Sequence, residues 1–128
     1  MKTIVLKSPS KINLNLKIIK FDQNSNKHKL SSKISILKLS DIIKVTKSKK
    51  LTVKYNFPYK NQKISNDIIS KTIKFFDKKY KTVSKFNIQV IKNIPIGYGL
   101  GGGSSNAATI LKFLYSYHGI NLNNFYLD

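Results

Sequence analysis

Residues 94–111, IPIGYGLGGGSSNAATIL, hold five of the chain's six glycines, all between Gly97 and Gly103. Any chemistry here enters through the backbone. A residue without Cβ adopts positive φ at little cost and lets a ligand come close to main-chain N–H groups. Successive N–H groups can then face one concavity, and a helix beginning near Ser104 adds the positive end of its dipole. That combination suits phosphate. Ser104 and Ser105 can cap the helix, donate to a phosphate oxygen or help to hold Mg2+. The same composition also fits a flexible strand-to-helix hinge. A Walker A loop needs Gly-Lys-Ser/Thr, and no lysine follows these glycines. A dinucleotide fingerprint would need glycine at the place of Ser104.

Other chemistries have less to work with. The chain contains no cysteine, which removes disulfides and thiolate metal sites. Two isolated histidines, His28 and His118, do not make a metal cluster. All 24 basic residues are lysine and all five acidic residues are aspartate, for a net charge of +19. Such a charge fits polyanion binding, but the lysines are dispersed along the chain, and arginine, the usual bidentate donor, is missing. Abundant Lys, Asn and Ile fit a compositional bias equally well. No stretch approaches the roughly 18 apolar residues of a membrane span, and the N-terminus is too short in apolar residues for a signal peptide. A cytoplasmic protein is expected, without a membrane partner.

The elements that must position the glycines follow from periodicity. At 128 residues the chain reads as one domain. TIVLKS and KINLNLKII (11–19) alternate as two paired strands broken at Ser8-Pro9-Ser10, the second half-buried through Ile12, Leu14, Leu16 and Ile18. Residues 21–29 read as a loop. LSSKISIL (30–37), DIIKV and LTVKYNF read as further strands. Residues 66–80 switch to helical spacing through Ile69, Ile73, Phe76 and Tyr80, with Asn66 as N-cap and Asp67 in the first turn. KFNIQVIKNIP (85–95) returns to period two, and NAATILKFLYSYH forms a helix closed by Gly119. NLNNFYLD reads as the start of another helix. The fold class expected is α+β.

The stretch PIGYGLGGGSSNAA, from Pro95 to Ala108, resembles the phosphate-binding motif of the GHMP kinases. Three further segments agree in order. SPSKINLNL is similar to the family's N-terminal strand, with Lys11 in the place of a catalytic lysine. HKLSSKISILKLSDIIKV places His28 on a substrate-binding histidine, although Lys27 stands where a tyrosine platform is usual. SNDIISKTIKFF is similar to the first long helix, with Asn66 on the family's asparagine. The GLGGGSS form is that of the members acting on a cytidine diphosphate-linked substrate in non-mevalonate isoprenoid precursor synthesis.

The resemblance implies an α+β N-terminal domain of ribosomal-protein-like architecture over residues 1–128. It implies ATP and Mg2+ as cofactors and transfer of a phosphoryl group to the substrate's 2-hydroxyl. Pro95, Ile96, Gly97, Tyr98, Gly99, Leu100, Gly101, Gly102, Gly103, Ser104 and Ser105 would hold the nucleotide. Lys11 would be catalytic and His28 would bind substrate. The family's catalytic aspartate belongs to a later motif, and none of Asp22, Asp41, Asp67 or Asp77 matches it. The expectation is therefore a truncated or split chain without the C-terminal domain, inactive alone, that pairs with a separately encoded fragment or with itself. Two rivals remain at this level: a basic RNA-binding module of related fold, and a non-functional remnant.

Overall fold

The computed structural model describes residues 2–58 and 64–122. Along the chain run β1 (Ile4–Asp22), β2 (Lys27–Lys47), β3 (Thr52–Asn56), α1 (Ile68–Tyr80), β4 (Phe86–Ile91) and α2 (Gly102–His118). The strands form one sheet in the order β1-β2-β4-β3. β1/β2 and β2/β4 are antiparallel, whereas β3/β4 is parallel. Parallel neighbours need a crossover, and α1 supplies it.

Alternation along the strands builds the core. Ile43 and Val45 of β2, and Phe86, Ile88 and Val90 of β4, point to one face and are buried. The register sets Leu6 beside Ile43, and Ile43 beside Val90, which in turn neighbours Tyr55. Both helices cover that face, α1 through Ile69, Ile73 and Phe76, and α2 through Ile110, Phe113, Leu114 and Tyr115. Phe76 meets Tyr115 edge-on, with ring centroids 5.2 Å apart. The Tyr80 and Tyr115 hydroxyls bond each other at 2.6 Å. Burial and that bond push the Tyr115 phenol up to about 12.

Several expectations need correction. TIVLKS and KINLNLKII are not partners but one continuous strand, and its partner is β2. Serines 8 and 10 do not break it, because both are buried and bonded: Ser8 to Asn106, and Ser10 to the Leu39 carbonyl. LSSKISIL and DIIKV likewise merge into β2, and the loop between β1 and β2 shrinks to residues 23–26. Asp67, not Asn66, is the N-cap of α1, since its carboxylate accepts from the Ser70 amide. α2 starts at Gly102, earlier than Ser104. NLNNFYLD falls almost wholly outside the described residues.

The largest difference concerns burial. Beyond Pro9 and Ser40 the β1–β2 ribbon continues as an arm that neither helix covers. Leu14, Leu16, Ile18, Leu30, Ile34 and Ile36 are 52–66% exposed, so the expected half-buried strand is absent. Register shifts at Pro9/Lys11, Asn13/Asn15 and Ile18/Lys20 make the arm irregular. They also bring Ile18 opposite Leu30, and Leu16 opposite Ser32. Toward the tip one face carries Leu16, Ile18 and Leu30 and the other Lys17, Lys29 and Lys33, whereas nearer the base Ile34 and Ile36 lie opposite Asn13 and Lys11.

Candidate functional site

The glycine loop runs from the end of β4 to the first turn of α2 and walls a cleft of about 400 Å3. Across from the loop, Tyr55 and the segment before α1, including Ile64 and Asn66, form the other side. Pro95, Ile96, Gly97, Gly99, Leu100, Gly101, Gly102, Gly103 and Ser104 all line it. Tyr98 stands apart, 77% exposed. Ser105 faces away from the cleft toward β1, its hydroxyl 3.0 Å from that of Ser8. Ser8 also donates to the buried Asn106 side chain at 2.7 Å, which fastens α2 to the sheet.

The two helix N-termini are finished differently. At α1, Asp67 accepts from the Ser70 amide at 3.1 Å and from the Tyr55 hydroxyl at 2.6 Å. Burial pushes the Asp67 carboxyl up, but the bonds from Ser70 and Tyr55 outweigh it and leave the pKa lowered. Burial, reinforced by this carboxylate, pushes the Tyr55 phenol well above the ordinary range. At α2 the N-cap is Gly101 in the left-handed region, with no side-chain cap and no acidic residue in the first turn. The amides of the first turn therefore keep their positive end for an external acceptor.

The glycines divide by what a side chain would meet. At Gly101 (φ 68°) a Cβ would fall 2.9 Å from Cε and Cγ of Lys11. At Gly102 it would fall 3.1 Å from Ile94 Cγ2 and 3.3 Å from Lys92 Nζ. At Gly103 it would meet nothing within 4 Å, and φ is ordinary. Glycine in a helix is less favourable than alanine by about 1 kcal/mol. Nothing in the described chain asks for it at Gly103. An open glycine on the lip of a cleft leaves room for a ligand to approach the backbone.

Lys11 reaches the glycine loop from β1 but is not among the residues that line the cleft. Its amide donates to the Leu100 carbonyl at 2.9 Å, its aliphatic stem lies over Gly101, and its ammonium reaches Asn13 Oδ1 at 3.1 Å. His28 does not reach the loop. It pairs with Phe21 near the tip of the arm, their ring centroids 4.8 Å apart. From Lys11 to Phe21 the strand advances by roughly 30 Å at about 3.3 Å per residue.

Sequence reasoning missed Lys92 and Asp41. The two form a buried ion pair, with side chains 5% and 0% exposed. Asp41 uses its other oxygen to accept from the Ile94 amide at 2.8 Å. One lysine among 24 carries no visible signal of this kind. The remaining described aspartates also have structural partners. Asp22 closes the arm's turn through Asn24 and Ser25, and Asp77 holds Thr82 and Ser84. Among the described residues no cluster of three His, Cys, Asp or Glu side chains could hold a metal, and no helix is long and apolar enough to cross a membrane.

Comparison with known proteins agrees with this architecture. Residues 67–127 match the GHMP kinases N terminal domain. A 4-diphosphocytidyl-2-C-methyl-D-erythritol kinase of Pelagibacter ubique (strain HTCC1062) is 41% identical over 116 residues, covering 88% of this chain and 41% of that protein. The enzyme of the same name from Sulfurihydrogenibium sp. (strain YO3AOP1) is 40% identical over 116 residues, covering 89% and 40%. A crystal structure of 4-(cytidine 5'-diphospho)-2C-methyl-D-erythritol kinase superposes with a TM-score of 0.69 at 24% identity, over 93% of this chain and 42% of that one. Methanococcus jannaschii mevalonate kinase superposes with a TM-score of 0.62 at 16% identity, over 94% and 42%. At these identities the superpositions speak for the fold. The chain spans about two fifths of the length of the curated relatives it matches. Residues 67–127 thus carry the likeness to the GHMP kinases N terminal domain, and the sheet with its two helices has the fold of the solved kinases.

Proposed function

We propose that the cleft seats the triphosphate of ATP, and that the chain is the nucleotide-binding part of a kinase for a cytidine diphosphate-linked alcohol. The observation that carries this reading is Gly103, exposed on the first turn of an uncapped helix, with empty space where its side chain would stand. The donor set fits ATP: the backbone amides at the start of α2 offer directional donors and a positive dipole end to phosphate oxygens. Mg2+ would arrive with the triphosphate, and Ser104 offers it a hydroxyl on the α2 side of the cleft. The nucleotide supplies the phosphoryl group.

The chain's own residues position and neutralise, which is most of what phosphoryl transfer asks of a protein. Lys11 packs on Gly101, so its ammonium belongs at the edge of the loop where an accepting hydroxyl would approach. There it would stabilise the charge on the transferring group. Proton removal falls to none of Asp22, Asp41, Asp67 or Asp77, since each has a structural partner. The described part thus supplies the nucleotide seat and a cation, and no general base. Such a base is worth about 10²–10⁴-fold.

Gly103→Val provides the test by calorimetric titration with ATP and Mg2+. A Cβ there meets no atom within 4 Å, so the fold should persist while ATP affinity falls by at least about tenfold through lost backbone access. Unchanged affinity in a folded Gly103→Val chain would refute the cradle.

A further inference from the structure

The buried pair of Lys92 and Asp41 has a position that stability alone does not explain. Taking two charges out of water is expensive, and well-packed apolar residues commonly serve a core as well or better. Both Asp41 oxygens are engaged, one by the Lys92 ammonium and the other by the Ile94 amide. Lys92 keeps donors to spare. An ammonium has three donors, and its one hydrogen-bond partner among the described residues is Asp41. Its Nζ sits 3.3 Å from where a Cβ of Gly102 would be, and Lys92 lines the cleft. A side chain at 102 would wall the ammonium off from that space. Glycine there leaves it reachable.

We propose that Lys92 is the cationic floor of the phosphate seat, donating to a phosphate oxygen of the ligand, and that Asp41 is its positioning residue. The inference rests on the nucleotide reading above and adds to it a second cation besides Lys11. Gly101 admits the stem of Lys11 from one side, and Gly102 admits the head of Lys92 from beneath. Asp41 has two effects. It holds the ammonium under the first turn of α2, and through Ile94 it fixes the direction in which the chain enters the loop.

The test uses the whole chain with inorganic tripolyphosphate as probe, which has no base or ribose. The double variant Lys92→Gln with Asp41→Asn removes both charges while leaving a hydrogen-bonding pair of similar size. Its melting temperature should stay close to the parent's, and its tripolyphosphate affinity should fall at least about tenfold, as for a lost charge-assisted hydrogen bond. Lys92→Arg, which keeps a cation against Asp41, should recover most of that affinity. Equal binding by the parent and a folded double variant would overturn the proposal and leave the pair purely structural.

Should the double variant not fold, the parent chain decides. A buried, paired ammonium exchanges its protons slowly and gives an observable 15N resonance. Tripolyphosphate should shift the Lys92 resonance, while chloride at matched ionic strength should not. A resonance unmoved at saturation overturns the proposal. A parent chain that binds neither tripolyphosphate nor ATP would instead overturn the nucleotide reading itself.

Discussion

The starts of α1 and α2 face the same cleft and are built in opposite ways. At α1 a carboxylate has already taken the place of an anion: Asp67 satisfies the Ser70 amide and binds Tyr55. At α2 the cap is a glycine without side-chain bonds, followed by two more glycines and two serines. A capping residue is typically worth about 1 kcal/mol to a helix, so α2 forgoes that stabilisation. What it keeps is an accessible positive end, beside Lys11 and above Lys92. The difference separates a helix terminus that serves the fold from one left free for a ligand.

Filling the open terminus should break the contrast most strongly. Ser104→Asp places a carboxylate in the first turn of α2, where the dipole favours it by about 0.3–1 kcal/mol. Stability should rise slightly while tripolyphosphate affinity drops at least about tenfold by like-charge repulsion. The two effects have opposite signs, which distinguishes this outcome from misfolding. Paired thermal melts and titrations would measure both. Retained affinity alongside raised stability would show that the phosphate seat lies elsewhere.

Emptying the closed terminus is the converse. Asp67→Ala removes the cap of α1 and leaves the Tyr55 hydroxyl without its acceptor, for a loss of about 1–2 kcal/mol. In a domain of this size the melting temperature should fall by roughly 4–8 °C. Because the folded Asp67 carboxyl titrates below its ordinary value, its contribution is complete above about pH 4 and fades as the pH falls through the folded pKa. Asp67→Asn should therefore flatten the acid limb of the stability profile below about pH 4. An acid limb identical to the parent's would mean that Asp67 does not carry it.

How far this contrast was visible in the sequence depends on what each signal encodes. The glycine loop stands out because five glycines in a glycine-poor chain are a local statement about backbone access. α1 and β4 are legible because Ile69, Ile73 and Phe76, and then Phe86, Ile88 and Val90, repeat with the period of the element they bury. The N-cap was displaced by one residue because Asn66 and Asp67 are both good caps, and only the tertiary contact with Tyr55 selects Asp67. Lys92 and Asp41 were invisible, since what distinguishes them is burial across 51 positions of sequence separation. The arm was misjudged for a related reason. Alternation in KINLNLKII reports that one face is apolar and says nothing about whether anything covers it.

The arm also supplies the last and smallest expected effect. Val45 and Ile43 at the helix-covered end of β2 are fully buried, whereas Ile18 and Leu30, paired across the same two strands, are 64% and 52% exposed. Equal residue types should thus respond unequally. Ile43→Val, which removes one buried methylene, should cost about 0.5–1.5 kcal/mol through loss of packing. Ile18→Thr with Leu30→Thr removes more apolar surface from a place where little is buried, and each substitution should stay within about 0.5 kcal/mol. Threonine keeps the β-branched shape that suits a strand, so the arm itself should persist. The double variant should lower binding of a hydrophobic dye, because an exposed apolar face of this kind is what such dyes detect. Thermal melts and dye titrations of the two variants give the comparison directly. If the threonine pair cost clearly more than about 1 kcal/mol, the arm's apolar face would have to be buried in solution.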